Sequence, residues 1–183
     1  MKLYFTGSDV LLLHHYPGRK RVYVWLYRQF VKLSKFCTEE YWVVHEHLVP
    51  ELNRFGITEK ISVVQHPYNM TVYPKKKHDS FNILYYCPMS EKDKNLNEWI
   101  YGVDIWERVK HWYKGDRKVC FIEVDGAQDM SEIWPVTDFL LRCNRHDGGA
   151  RMVDEAKINN VSYYWSYENP DFNEIIKIIE LAR

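Results

Sequence analysis

Residues 120–166 read CFIEVDGAQDMSEIWPVTDFLLRCNRHDGGARMVDEAKINNVSYYWS. Three apolar runs, 119–124 (VCFIEV), 138–143 (DFLLRC) and 161–166 (VSYYWS), have the length and the β-branched and aromatic content of buried strands. Between them, 131–136 and 151–158 read as short helices. Strand and helix alternate through short connections, which predicts an α/β fold with a parallel sheet and right-handed crossovers. Such a sheet places its ligands outside the carboxyl ends of its strands.

Working outward, 81–87 (FNILYYC) is a further buried-type strand, 96–110 one helix with Trp99, Val103, Trp106 and Val109 among its apolar positions, and 172–181 the closing helix. The functional loops are therefore those after Cys87, Val124, Cys143 and Ser166. Towards the N-terminus the pattern is strand (2–6), helix (21–36), strand (41–45), helix (48–55) and strand (61–65). Val22, Leu26, Phe30 and Leu33 recur at helical spacing, which puts Arg28, Lys32 and Lys35 on the wet side of the first helix. Gly56 is placed to close the second helix. The polar stretch with Pro74, three lysines at 75–77 and Asp79-Ser80 is the best linker, so the chain divides into 1–67, a linker at 68–80, and 81–183.

Composition narrows the function. The chain has 183 residues, which allows one ordinary domain or two small ones at about 100–200 residues each. Twenty-five basic and 25 acidic side chains balance, so nothing electrostatic points to nucleic acid as a partner. The apolar stretch near Val22 stops at Arg28, far short of the roughly 20 residues that cross a bilayer. The first residues meet Gly7, Ser8 and Asp9 before any sustained apolar run, unlike a secretory leader. Cys37, Cys87, Cys120 and Cys143 form no CxxC pair and sit among apolar neighbours, as buried free thiols of a cytoplasmic protein would.

The chemistry concentrates in 144–156, NRHDGGARMVDEA, between a strand and a helix. Gly148 and Gly149 let backbone N–H groups approach an anion, and the helix N-terminus favours a phosphate there. Asp147 stands at the loop edge, and Glu155, eight residues on, lies about two turns into the helix. A carboxylate at each end of a phosphate-binding loop suits a nucleotide sugar, which has hydroxyls at both ends and phosphates between. A plainer reading competes: Asp147 as an N-cap and Glu155 as a surface carboxylate.

Residues 119–183 resemble the nucleotide-binding C-terminal domain of retaining GT-B glycosyltransferases of the group 1 type. Asp147-x7-Glu155, with Gly148 after the first acid, resembles that family's paired-acid signature. The stretch 81–110 looks like its preceding strand, loop and helix, and 55–67 like the segment joining its two domains. The resemblance implies a Rossmann-like parallel sheet of GT-B type with a truncated N-terminal α/β portion on the acceptor side. It further implies that Asp147 meets the donor sugar hydroxyls, Glu155 the ribose hydroxyls, and Lys94 the leaving diphosphate, as catalytic residues. Gly148 and Gly149, followed by Ala150, would offer backbone donors to the diphosphate. By their position around the motif, Arg142, Arg145 and Arg151 are candidates for further phosphate contacts or, equally, for ion pairs with Asp138, Asp147 or Asp154. Here the first acid is Asp rather than Glu, no arginine precedes Lys94 in CPMSEKDK, and Asn160 replaces a glycine before the last strand.

Gly7-Ser8-Asp9 is similar to a cleft-facing loop of some GT-B N-terminal domains, which makes it the acceptor-side candidate. His45 and His47, at the end of a strand, together with His14, His15 and Asp9 form the rival metal-site reading, but no third ligand has diagnostic spacing. The expectation is a metal-independent transferase with no cofactor beyond its nucleotide-sugar donor, an unknown acceptor, and a partner chain or second copy completing the acceptor site. Two alternatives stand beside it: a nucleotide-sugar-binding module without turnover, and a small nucleoside-processing enzyme in which Asp147 or Glu155 attacks.

Overall fold

The computed structural model describes residues 2–5, 21–64, 70–88, 94–146, 151–166 and 169–183. The chain divides into two compact units, Met1–Tyr68 and Asn69–Arg183.

In the first unit, strands β1 (Lys2–Phe5), β2 (Glu40–Val43) and β3 (Ile61–Val63) form a parallel sheet in the order β1-β2-β3. Helix α1 (Arg21–Ser34) precedes β2, and α2 (Leu48–Arg54) precedes β3. Phe5, Tyr41 and Val43 from the strands bury against Val31, Leu48, Leu52 and Ile57. Gly56, at φ 89°, ends α2 as expected. Its N–H donates to the Asn53 carbonyl and that of Ile57 to the Leu52 carbonyl, so the last open carbonyls are satisfied by a left-handed turn.

The first helix differs from expectation in which face it buries. Val24, Val31 and Ser34 face the core, whereas Val22, Leu26, Phe30 and Leu33 are each more than half exposed. The helix carries two apolar stripes at the same spacing, and periodicity cannot say which one meets the sheet. The slim, β-branched valines are buried, Val31 in the cluster that holds Tyr41 and Val43, and the bulky stripe is left outside.

The second unit is a four-stranded parallel sheet in the order β5-β4-β6-β7, built from β4 (Phe81–Tyr86), β5 (Val119–Val124), β6 (Phe139–Cys143) and β7 (Ser162–Ser166). Alternation along the strands sends side chains to two faces. Ile83, Tyr85, Phe139 and Leu141 pack on α4 (Val103–Trp112) and α7 (Phe172–Ala182), through Trp106, Val109, Ile175 and Ile179. Leu84 and Leu140 pack on the other face against Trp134, Val153 and Ala156. Those belong to a 3-10 turn (Trp134–Val136), which continues the short helix α5 (Met130–Ile133), and to α6 (Arg151–Ile158).

The helix expected over 96–110 is two, α3 (Lys94–Tyr101) and α4, separated by Gly102 at φ 67°. A Cβ at 102 would overlap the Cys143 carbonyl oxygen, so this elbow needs glycine both for its left-handed backbone and for its approach to β6. Trp106 is core as expected, but Trp99, on the other side of the break, is about half exposed. The buried-thiol expectation holds for Cys87 and Cys143 only, since Cys37 and Cys120 are exposed.

Residues 71–80, read from sequence as linker, run along the second unit. The Tyr73 N–H donates to Asn159 Oδ1 at 2.7 Å, the Lys76 N–H to the Pro135 carbonyl at 2.9 Å, and the Lys75 ammonium to the Thr137 carbonyl. Among the described residues, no helix is long and apolar enough to cross a membrane.

Candidate functional site

The second unit has a cavity of about 450 Å³ at the carboxyl ends of its central strands. Sheet order explains the location. The chain passes from β4 to β5 on one side and then crosses to β6 on the other, and loops that part at such a switch leave a crevice. Tyr86 and Arg142, the side chains near the ends of β4 and β6 that point to the α6 face, line it. Arg151, Met152 and Glu155 enter from the first turns of α6, and Trp134 forms a wall from below. Tyr73, in the extended stretch before β4, and Tyr101, at the elbow between α3 and α4, supply two more aromatic surfaces.

Glu155 is a largely enclosed charged group of the cavity. Only 13% of its side chain is accessible. Its Oε1 accepts from Arg151 Nε at 2.7 Å, and its Oε2 from the Trp134 indole N–H at 3.3 Å. Each oxygen has further acceptor capacity, so a carboxylate held in this way still offers lone pairs to a diol. The pair with Arg151 spans one helical turn. The contact with Trp134 joins α6 to a turn 21 residues earlier. The Arg142 guanidinium lies 6.0 Å from the centre of the Tyr86 ring. Burial pushes the Tyr86 phenol above its usual range, so it stays a neutral hydroxyl at neutral pH. Among the described residues, the cavity walls thus carry two guanidinium groups against one carboxylate.

Several residues singled out from the sequence meet here. Glu155 and Arg151 line the cavity, and Arg142 joins them. Arg145 does not. Its two Nη atoms donate to the Asp104 carboxylate, each at 2.7 Å, and Nη1 also donates to the Trp99 carbonyl at 3.1 Å. The structure uses Arg145 to clamp the elbow between α3 and α4. Lys94 opens α3, but its side chain lies outside the described residues. So do Asp147, Gly148, Gly149 and Ala150, and, in the first unit, Gly7, Ser8 and Asp9.

The histidine pair stands apart from a strand. β2 ends at Val43, and His45 and His47 occupy the turn before α2, with their Nδ1 atoms 2.7 Å apart and ring centres 4.5 Å apart. Asp9, His14 and His15 lie outside the described residues, and among the described residues no three His, Cys, Asp or Glu side chains form a group that could hold a metal ion.

Trp134, Tyr73 and Tyr101 were missed as site residues. Tyr86 is at the end of a predicted strand, beside one of the loops expected to hold a ligand, but nothing local in WPVTD marks Trp134 as a neighbour of Glu155.

No protein-family model matches the chain, and no curated protein matches it in sequence. Solved structures do match in fold. One of the glycosyltransferase TarM superposes with a TM-score of 0.54 at 13% identity, over 86% of this chain and 39% of that one. A second, of the Staphylococcus aureus TarM G117R mutant with fondaparinux, α-GlcNAc-glycerol and UDP, gives 0.56 at 13% identity over 92% of this chain and 42% of that one. The GtfA/B complex gives 0.51 at 13% identity, over 76% and 32%. The fold is of the GT-B type. The chain spans about two fifths of the length of the TarM chains it matches.

Proposed function

We propose that the second unit binds the nucleoside diphosphate end of a nucleotide sugar in this cavity, and that the chain serves glycosyl transfer with retention and without an obligatory metal. The observation that carries the reading is Glu155, a nearly enclosed carboxylate fixed by Arg151 and Trp134 at the carboxyl edge of a parallel sheet. The paired hydroxyls of a ribose donate to such a carboxylate through two charge-assisted hydrogen bonds. A cavity of about 450 Å³ falls within the usual size of small-ligand sites, and Tyr73, Tyr86 and Trp134 offer aromatic surfaces to a base.

Diphosphate charge would be met locally. Arg142 and Arg151 line the cavity, and the resemblance assigns Lys94, at the start of α3, and Gly148 and Gly149, next to Ala150, to the phosphates. In this reading Asp147 takes the donor sugar hydroxyls. Negative charge grows on the departing diphosphate as the glycosidic bond breaks, and cations and backbone donors held in place beforehand stabilise it most at that point. These cations are why no metal ion is required in the proposal. Arg145 is left out of the donor set, because its guanidinium is engaged by Asp104.

The test is to incubate the chain with uridine, guanosine and adenosine diphosphate sugars and follow release of nucleoside diphosphate, with the anomer of the product read by NMR. Release from one donor with the anomeric configuration kept is the expected result. Inversion would remove retention from the reading, and binding without release would reduce the protein to a nucleotide-sugar-binding module. A covalent adduct of a fluorinated donor on Glu155 would replace transfer from a nucleotide sugar with nucleoside chemistry.

A further inference from the structure

Among the described residues, α1 holds more of the exposed large apolar side chains than any other element. Val22, Leu26, Phe30 and Leu33 follow one another at spacings of four, four and three, Trp25 lies three residues after Val22, and Phe36 extends the stripe past the last turn. Their exposure runs from 53% at Phe30 to 89% at Phe36. Isolated exposed apolar side chains are ordinary, but a contiguous stripe of this size marks a contact surface. The opposite side of the same helix is already used, by Val24, Val31 and Ser34 in the core of the first unit.

Charge identifies the occupant. Arg19, Lys20, Arg21, Arg28, Lys32 and Lys35 put six cations between residues 19 and 38, with no acidic residue among them, in a chain whose net charge is zero. At about 100° per residue, Arg28, Lys32 and Lys35 fall together on one flank of the apolar stripe. Lys32 and Lys35 are exposed there. An apolar face rich in Trp and Phe beside a wholly basic flank matches the boundary between acyl chains and anionic headgroups. A second copy of the same face would set the cations of one molecule against those of the other.

We infer that α1 is an interfacial helix that docks the first unit on the surface of an anionic phospholipid bilayer. Its 14 residues measure about 21 Å, too short to cross a hydrocarbon core of about 30 Å, so the helix lies in the plane of the interface. Trp25, Leu26, Phe30 and Leu33 enter the acyl boundary, and the basic flank meets the phosphates. This docking is independent of the nucleotide cavity, which belongs to the other unit.

The test is sedimentation of the full chain with phosphatidylcholine vesicles, with and without phosphatidylglycerol at about one third of the lipid. Binding should be about tenfold tighter to the anionic vesicles and should weaken several-fold in about 0.5 M salt. The triple variant Trp25→Ser, Phe30→Ser, Leu33→Ser should lose about tenfold or more. Its thermal unfolding should match that of the parent, since all three side chains face outward. Lys32→Ser with Lys35→Ser should weaken binding to anionic vesicles only. Absence of sedimentation with anionic vesicles would overturn the inference, as would equal binding by the triple variant. A concentration-dependent dimer abolished by the triple variant would overturn it too, by assigning the face to a second copy.

Discussion

Gly102 and the Cys143 carbonyl oxygen are so close that no side chain fits between them. This contact seats the elbow of α3 and α4 against the end of β6, where Cys143 Sγ also lies 3.5 Å from the Gly102 carbonyl and 3.6 Å from that of Tyr101. The Tyr85 hydroxyl donates to the same Tyr101 carbonyl at 2.9 Å. The elbow is thus held from two strands, and it carries Tyr101 to the cavity wall. Gly102→Ala should lose about 2 kcal/mol or more, combining a left-handed backbone with a steric overlap. Urea unfolding reads this directly; a loss below about 0.5 kcal/mol would mean the elbow relaxes freely.

The same elbow depends on the Arg145 clamp, and its contribution should vary with pH. The hydrogen bonds from Arg145 hold the Asp104 carboxyl below the ordinary carboxylate range. A group whose folded pKa is depressed contributes in full above its unfolded value, near 3.8, and loses that contribution as pH falls through the folded value. The Asp104 side chain is 61% exposed, so Asp104→Asn should cost no more than about 1 kcal/mol at pH 7. The difference between the two proteins should shrink steadily as pH falls below about 3.8 and through the folded value of Asp104. Arg145→Ala should destabilise similarly and leave nucleotide affinity unchanged.

Helix α6 ends on Asn160 at φ 53°, with the Val161 N–H donating to the Ala156 carbonyl at 2.9 Å and the Asn160 N–H to that of Lys157 at 3.2 Å. Asparagine is the residue besides glycine that tolerates this conformation most readily. Asn160→Gly should therefore stay within about 0.5 kcal/mol of the parent, while Asn160→Val should lose about 1–2 kcal/mol. Equal stability of the two variants would rule out the left-handed cap.

Thiol reactivity should separate the cysteines in pairs. Cys143 is buried, and burial pushes its thiol up to about 12; Cys87 is buried and raised as well, again chiefly by desolvation. Cys37 and Cys120 are exposed. A disulfide reagent at pH 8 should label Cys37 and Cys120 in the native protein and all four thiols in denaturant. Rapid native labelling of Cys143 would mean that the end of β6 opens readily.

The order of strands and helices was readable because apolar runs at two different periods alternate along the chain, and the place of Glu155 at the cavity followed from one strand-to-helix junction. Other features depended on partners distant in sequence. The break at Gly102 looked like an ordinary glycine within an apolar helical pattern, since its cause is a carbonyl 41 residues away. Val24 and Val31 could not be told from Leu26 and Leu33 as the buried stripe of α1, because both recur at helical spacing. Arg145 was assigned to the donor by its proximity in sequence to the acidic motif, and Asp104, its actual partner, belongs to another helix. Asn160 looked like a departure from the family pattern, and its backbone accounts for the substitution.

The central claim is that Glu155 receives the ribose of a nucleoside diphosphate, and a thermal-shift titration with uridine, guanosine and adenosine diphosphates tests it most directly. At about 100 times its dissociation constant, one of them should stabilise the chain by about 2.7 kcal/mol. Glu155→Ala should lose most of that shift while its unliganded fold, checked by circular dichroism, is kept. No shift with any nucleoside diphosphate, or an undiminished shift in Glu155→Ala, would contradict the account.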